Sequence, residues 1–263
     1  MEKLRYRSVW ISDIHLGTKG CKAAYLDNFL ESMTCDKLYL VGDIIDGWVL
    51  ARGASYFPQE HVNIIRRVLN KARKDTRVFY VVGNHDEFAR KFLEYDIAWG
   101  NIQFGNEFIH ERVNGESLLV VHGDLYDTVT RYHKWVSHLG DIGYNLLIST
   151  NRWFNQLRSW LGLGYWSLSA HIKNQVKQAV EFINSFEDAL ARECKERNLD
   201  GVICGHIHHA EMKEIDGVMY YNDGDWVESC TALVEHFDGR MEIVTWHNVG
   251  HEKKPKKPKK SKK

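Results

Sequence analysis

Cysteine, proline and long apolar runs are all scarce in this chain of 263 residues, and each scarcity closes off a class of protein. The five cysteines (Cys21, Cys35, Cys194, Cys204 and Cys230) are odd in number, widely spaced and without a CxxC pair. That excludes a disulfide framework and a zinc ribbon, and fits a reducing compartment. Three prolines, two of them beyond residue 250, leave no collagen-like or proline-rich body. No run of about 18 apolar residues occurs, so no membrane-spanning helix is expected. The N-terminus, MEKLRYRSVWISD, runs into a strand without the apolar core of a signal peptide. The expectation is a soluble, cytoplasmic protein.

Net charge is also missing, but only on average. Residues 251–263 (HEKKPKKPKKSKK) carry 8 lysines against 1 glutamate, which leaves 27 basic and 34 acidic side chains in the rest, a net of −7. A mildly acidic body therefore precedes a strongly basic tail that cannot fold alone. Such a tail suits an anionic lipid surface, at about 1 kcal/mol per basic residue. It equally suits a nucleic acid or plain solubility.

What is present begins as alternating strands and helices. Strands are expected at Ser8–Ile11, Lys37–Val41, Arg77–Val82, Ser117–Val121 and Gly201–Cys204, and helices at Lys22–Met33, Pro58–Lys74, Glu87–Glu94 and His171–Arg197. The last helix has an apolar stripe at Ile172, Val176, Ala179, Val180, Ile183 and Leu190. Segments 211–215, 218–221, 231–237 and 241–247 read as a β-meander, with Asp-Gly turns at 216–217 and 238–239. Repeating βαβ units followed by antiparallel strands predict a mixed α/β sandwich with helices outside. The domain is expected over 1–250, with 251–263 as a tail. Residues 127–168 break the pattern: they hold four of the nine tryptophans (Trp135, Trp153, Trp160, Trp166) and no convincing strand. Trp153, Phe154, Leu157, Trp160 and Leu161 share one helical face, flanked by Arg152 and Arg158, so a helical insertion is expected. That stripe serves ordinary core packing as well as it would serve an acyl-binding cleft.

Five segments share one layout, an apolar strand followed by a tight turn that bears metal-type ligands. They are Asp13-Ile14-His15, Gly42-Asp43, Gly83-Asn84-His85-Asp86, His122-Gly123-Asp124 and Gly205-His206-Ile207-His208. Sites in open α/β sheets form beyond the carboxyl ends of strands, so the five turns should converge. Glycine beside the ligands suits tight turns and close backbone approach. Seven side chains (Asp13, His15, Asp43, Asn84, His122, His206, His208) make two four-ligand sets if Asp43 is shared. Oxygen and imidazole donors without thiolate favour Mn²⁺, Fe²⁺ or Zn²⁺ over Ca²⁺ or a structural zinc. A pair of such cations about 3.5–4 Å apart activates water and neutralises phosphoryl oxygens. Any one of these motifs alone is weak; the ordered set of five is not.

The set DxH, GDxxD, GNHD, HGD and GHxH, over roughly residues 8–210, resembles the calcineurin-like metallophosphoesterases. The resemblance implies a four-layer αββα sandwich. It further implies one ion on Asp13, His15, Asp43 and His208, and another on Asp43, Asn84, His122 and His206. It gives His85 a catalytic role at the phosphate or leaving oxygen and Asp46 the role of orienting it. Asp86 reads instead as a turn or helix-cap residue.

Within that superfamily, GDIIDGW (42–48) and the insertion after HGD are similar to bacterial UDP-2,3-diacylglucosamine pyrophosphatases. This likeness implies hydrolysis of a UDP-linked diacylglucosamine to UMP and a lipid sugar 1-phosphate, with two divalent ions, Mn²⁺ first among them. It also implies substrate contacts at Trp48, Trp153, Leu157 and Trp160, and contact of the insertion and tail with the cytoplasmic face of an inner membrane. Neither nucleic acid nor a protein partner is expected. Two departures stand out: His85 and His209-Ala210 occupy positions where that family carries Arg and Arg-Pro. The alternative is a soluble phosphodiesterase or nucleotide phosphatase on the same metals.

Overall fold

The structure, a computed structural model, describes residues 3–53, 56–93, 100–127 and 168–247. The insertion expected over 127–168, apart from its two end residues, and the basic tail lie outside the described residues.

Two mixed sheets stack face to face. The first has six strands: β1 (Leu4–Ile11), β2 (Met33–Val41), β3 (Arg77–Val81) and β4 (Ile102–Gly105) run parallel. It is completed by β10 (Thr231–Glu235), antiparallel to β1, and β11 (Met241–Thr245) at the edge. The second has the order β5 (Glu107–Glu111), β6 (Ser117–Val121), β7 (Gly201–Cys204), β9 (Val218–Asn222) and β8 (Glu211–Ile215). Its central pairs are parallel and its edge pairs antiparallel.

Side-chain alternation along each strand builds four layers. In β1, Val9 and Ile11 face α1 (Ala23–Ser32) and α3 (Gln59–Arg73), where they join Leu26, Phe29, Ile64 and Val68. Trp10, on the opposite face, enters the core between the sheets with Tyr39, Val81, Leu118, Ile203 and Tyr221. The outer face of the second sheet packs Leu119, Val202 and Tyr220 against α5 (Leu168–Glu196). The layering is α, β, β, α, as expected.

Several local expectations change. The four late strands are not one meander: β8–β9 and β10–β11 are hairpins in different sheets, because the chain crosses between the sheets over residues 222–230. The 216–217 turn does have Asp216 and Gly217 at φ 51° and 84°, the conformation a two-residue hairpin loop requires. Among the described side chains of α5, the buried ones lie towards its C-terminal end, at Phe186, Leu190, Ala191 and Cys194, whereas Ala179 and Val180 are exposed. A helix of 29 residues is about 43 Å long, while a five-residue strand spans about 17 Å, so the helix overhangs the sheet. The segment Glu87–Glu94 divides into a 3₁₀ turn (Glu87–Ala89) and α4 (Arg90–Leu93). Strands β4 and β5 and the five-residue helix α2 (Gly47–Ala51) escaped the sequence reading.

Candidate metal centre

The turns after β1, β2, β3, β6 and β7 meet at one end of the sandwich. Five of the candidate ligands hold left-handed backbone: φ is 48° at Asp13, 51° at His15, 53° at Asp43, 70° at His206 and 53° at His208. Only nine non-glycine residues among those described do so. Each such residue costs about 1–3 kcal/mol in strain, and such strain concentrates at functional sites. The glycines beside them leave no room for a Cβ. One on Gly83 would lie 2.4 Å from Asp43 Oδ1, and one on Gly205 would lie 2.6 Å from Asp13 Oδ2.

Donor atoms converge without satisfying one another. Asp13 Oδ2 accepts the Ser12 hydroxyl at 2.6 Å and the His206 amide at 2.9 Å, while the buried Oδ1 has no hydrogen-bond partner. His208 Nε2 lies 3.1 Å from that Oδ1, and His15 Nε2 lies 3.8 Å from Oδ1 and 3.8 Å from Asp43 Oδ2. His122 Nδ1 donates to the Val41 carbonyl at 2.8 Å, which turns Nε2 towards Asp43 Oδ1 at 3.4 Å and Asn84 Oδ1 at 3.3 Å. Three triads bring one ligand atom per residue within 4.8 Å: Asp13/His15/His208, His15/Asp43/His85 and Asp13/Asp43/His122. Buried carboxylate oxygens and imidazole nitrogens aimed at common points are the donor set of a divalent cation. Asp13, His15 and Asp43 each belong to two of the triads.

The electrostatics agree. Burial opposes ionisation of Asp13 and Asp43, but adjacent imidazoles, chiefly His208 and His122 respectively, hold both carboxyls below the usual range. Burial likewise opposes charge on His208, yet Asp13 raises it to about 9, and Asp43 holds His122 well above the ordinary imidazole range. The cluster demands positive charge, from protons or from metal, so metal binding must displace protons.

A match to the calcineurin-like phosphoesterase family model spans residues 6–210 and takes in all five turns. The chain belongs to that family. It is therefore a metal-dependent phosphoesterase, of a family that works with two metal ions. Solved structures it is similar to include an archaeal phosphodiesterase (12% identity, 90% of this chain and 98% of the other, TM-score 0.43). Wild-type Vps29 with Zn²⁺ from Entamoeba histolytica is another (13%, 91% and 99%, 0.38). A third is a predicted phosphoesterase from Streptococcus pneumoniae (11%, 91% and 97%, 0.35). No curated protein matches the chain in sequence.

The phosphoesterase places its other expected residues as follows. His85 Nδ1 lies 3.0 Å from Asp46 Oδ2, the expected orienting pair. Asp46 does more than expected: the same oxygen lies 3.4 Å from His15 Nδ1, and Oδ1 caps α2 through the Val49 amide. The Trp48 ring packs against His85, 4.0 Å between centroids and tilted by 37°. Trp153, Leu157 and Trp160 lie outside the described residues.

Asp86 does stand in the turn just before the 3₁₀ element, where its carbonyl accepts from Ala89 N at 2.9 Å, but its side chain has another task. Its side chain caps no helix; it is fully buried and accepts from Gly83 N at 2.6 Å, Ile44 N at 3.0 Å and the Tyr80 hydroxyl at 2.6 Å. It thus ties the GNHD turn to the GD turn, because three donors close around a carboxylate that no solvent reaches.

Two groups escaped the sequence reading. Asp127 Oδ2 lies 3.0 Å from His206 Nε2. The segment Asn222–Trp226 (NDGDW) braces two of the ligand turns, and its own strand-then-Asp/Gly layout was the available signal.

Proposed function

We propose that this phosphoesterase cleaves the pyrophosphate of a UDP-linked diacylglucosamine to UMP and a lipid sugar 1-phosphate. The observation that supports it is the apolar flank beside the metal ligands. Trp48 lies against His85, and Leu50 and Phe88, both exposed, lie close by: a Cβ on Gly17 would touch Leu50 and one on Gly47 would touch Phe88. Water-exposed apolar groups beside a phosphoryl site suit a substrate that is anionic at the reacting centre and greasy beyond it.

Asp13, His15, Asp43 and His208 would hold one cation, and Asp43, Asn84, His122 and His206 the other, with Mn²⁺ as the native metal. Bound there, the pair supplies an activated water and charge neutralisation at the phosphate. His85, held by Asp46, meets the oxygen that leaves phosphorus and hands it a proton. Water contributes its oxygen to one phosphate and a hydrogen to the other as the P–O bond between them breaks. The insertion, through Trp153, Leu157 and Trp160, takes the acyl chains, and with the lysine-rich tail it rests on the cytoplasmic face of an inner membrane.

A soluble phosphodiesterase is the second reading. It is favoured by His85 and His209-Ala210, which stand where two anion-binding arginines would serve a diphosphate substrate. Mass spectrometry of products separates the two. The Mn²⁺-loaded enzyme should release UMP and lipid 1-phosphate from UDP-2,3-diacylglucosamine. Turnover of simple nucleotides or diesters, with the glycolipid untouched, would establish the soluble phosphodiesterase instead.

A further inference from the structure

We propose that Asp223 is a positioning residue for the metal centre: acting through Ser12, it fixes the Asp13 carboxylate so that Oδ1 faces the cations. The proposal rests on the metal centre and is independent of the substrate.

The argument is a count of hydrogens. The Ser12 hydroxyl lies 2.6 Å from Asp13 Oδ2, 2.6 Å from Asp223 Oδ1 and 3.0 Å from the Gly224 carbonyl. It owns one hydrogen. Two contacts of 2.6 Å between oxygens each require one, so a second must come from a carboxyl group. Asp13 Oδ2 already accepts the His206 amide at 2.9 Å, so it is the accepting partner of this contact as well. Asp223 is fully buried, and its Oδ2 has no hydrogen-bond partner. A negative charge there would leave a charged oxygen unsatisfied in a dry interior, and a neutral carboxyl, whose unpartnered Oδ2 carries no charge, costs less. Burial pushes the Asp223 carboxyl well above its ordinary range, in agreement. The chain of donors then runs one way, from Asp223 to Ser12 and from Ser12 to Asp13. Asp13 Oδ2 collects two donors and Oδ1 none, which leaves the lone pairs of Oδ1 for metal.

The backbone holds Asp223 in place for this task. It follows β9 where the chain leaves one sheet for the other. Asp223 N donates to the Cys204 carbonyl at 3.1 Å, Asn222 Nδ2 to the Gly205 carbonyl at 2.8 Å, and Trp226 N to the Asp13 carbonyl at 3.1 Å. One short segment therefore braces both the DxH and the GHxH turns. A carboxyl with a merely structural role has no need to end on the one Asp13 oxygen that faces away from the ligand triads.

The test uses the full chain stripped with chelator, with Mn²⁺ affinity read by calorimetry and Tm measured with and without Mn²⁺. Asp223→Ala and Ser12→Ala should each weaken Mn²⁺ binding by about 10–100-fold and shrink the Mn²⁺-induced rise in Tm. Asp223→Asn, whose carboxamide still donates to Ser12, should stay within about threefold of wild type, a small fraction of that loss. The Ser12→Ala/Asp223→Ala double variant should bind no more weakly than Ser12→Ala alone. Wild-type affinity in Ser12→Ala would overturn the proposal. So would Asn as damaging as Ala, or losses that add in the double variant. Should Asp223→Ala not fold without metal, Ser12→Ala and Asp223→Asn decide the question by themselves.

Discussion

Replacing His85 by alanine separates the two roles that geometry allows this side chain. His85 Nδ1 is engaged by Asp46 at 3.0 Å, while Nε2 stands 3.9 Å from Asp43 Oδ2, too far for a hydrogen bond. Nε2 is therefore available to a third party, either a cation or an oxygen of the substrate. Asp46 holds the ring with its outer nitrogen towards the ligands, and the tilted Trp48 ring packs against it, so little reorganisation is needed during reaction. Removing one such preorganised donor costs about 10²–10³ in kcat, or about 2.7–4 kcal/mol. Both metal ions should remain, as elemental analysis of the purified variant would report. The loss should also depend on the leaving group. A nitrophenolate departs without a proton and should suffer least, whereas an alkoxide needs the proton and should suffer most. Loss of a metal ion from His85→Ala would make His85 a ligand and refute the reasoning. An equal loss on both substrates would remove the proton transfer and leave only electrostatic stabilisation.

Other outcomes follow from the same geometry. Gly83→Ala should displace Asp43, whose Oδ1 and backbone N would lie 2.4 and 2.5 Å from the new carbon; a Tm measurement should show about 1–3 kcal/mol of destabilisation, with metal content reduced. Glu235 lies buried between the sheets, where burial opposes its charge but His110 and Arg7 win and hold its pKa at about 2. Its folded pKa is depressed, so its stabilisation is complete above the unfolded value of about 4.5 and is lost as pH falls from there towards 2. That is on the order of 3 kcal/mol, and Glu235→Gln should erase this acid-dependent part in denaturant titrations from pH 6 to pH 3. Burial lowers the His110 pKa, so that group also costs stability once pH falls below its ordinary value, in the same direction. Replacing Trp153, Leu157 and Trp160 together by small polar residues should spare a small diester and reduce turnover of an acylated substrate at least about tenfold, mainly through KM. An equal loss on both substrates would assign these residues to ordinary core.

The sequence by itself determined the elements nearest the chemistry. Strand β6 was legible to the residue and β3 to within one, because a short β-branched run that ends in a Gly/His/Asp turn has one sensible reading. The five ligand turns were legible for the same reason: their signal is local, carried by residue type and spacing along a few positions. What tertiary structure decided was everything that depends on which sheet a strand joins. The late strands alternate as a meander would, and nothing local says that residues 222–230 carry the chain from one sheet to the other. That crossing places Asp223 under Ser12, more than two hundred positions away in sequence. Asp86 shows the same limit. At the start of a helical turn its neighbours in sequence suggest a cap, yet its partners Ile44 and Tyr80 lie on segments that only folding brings together. Hydrogen-bond partners of a buried carboxylate are set by distance in space, and a sequence records only distance along the chain.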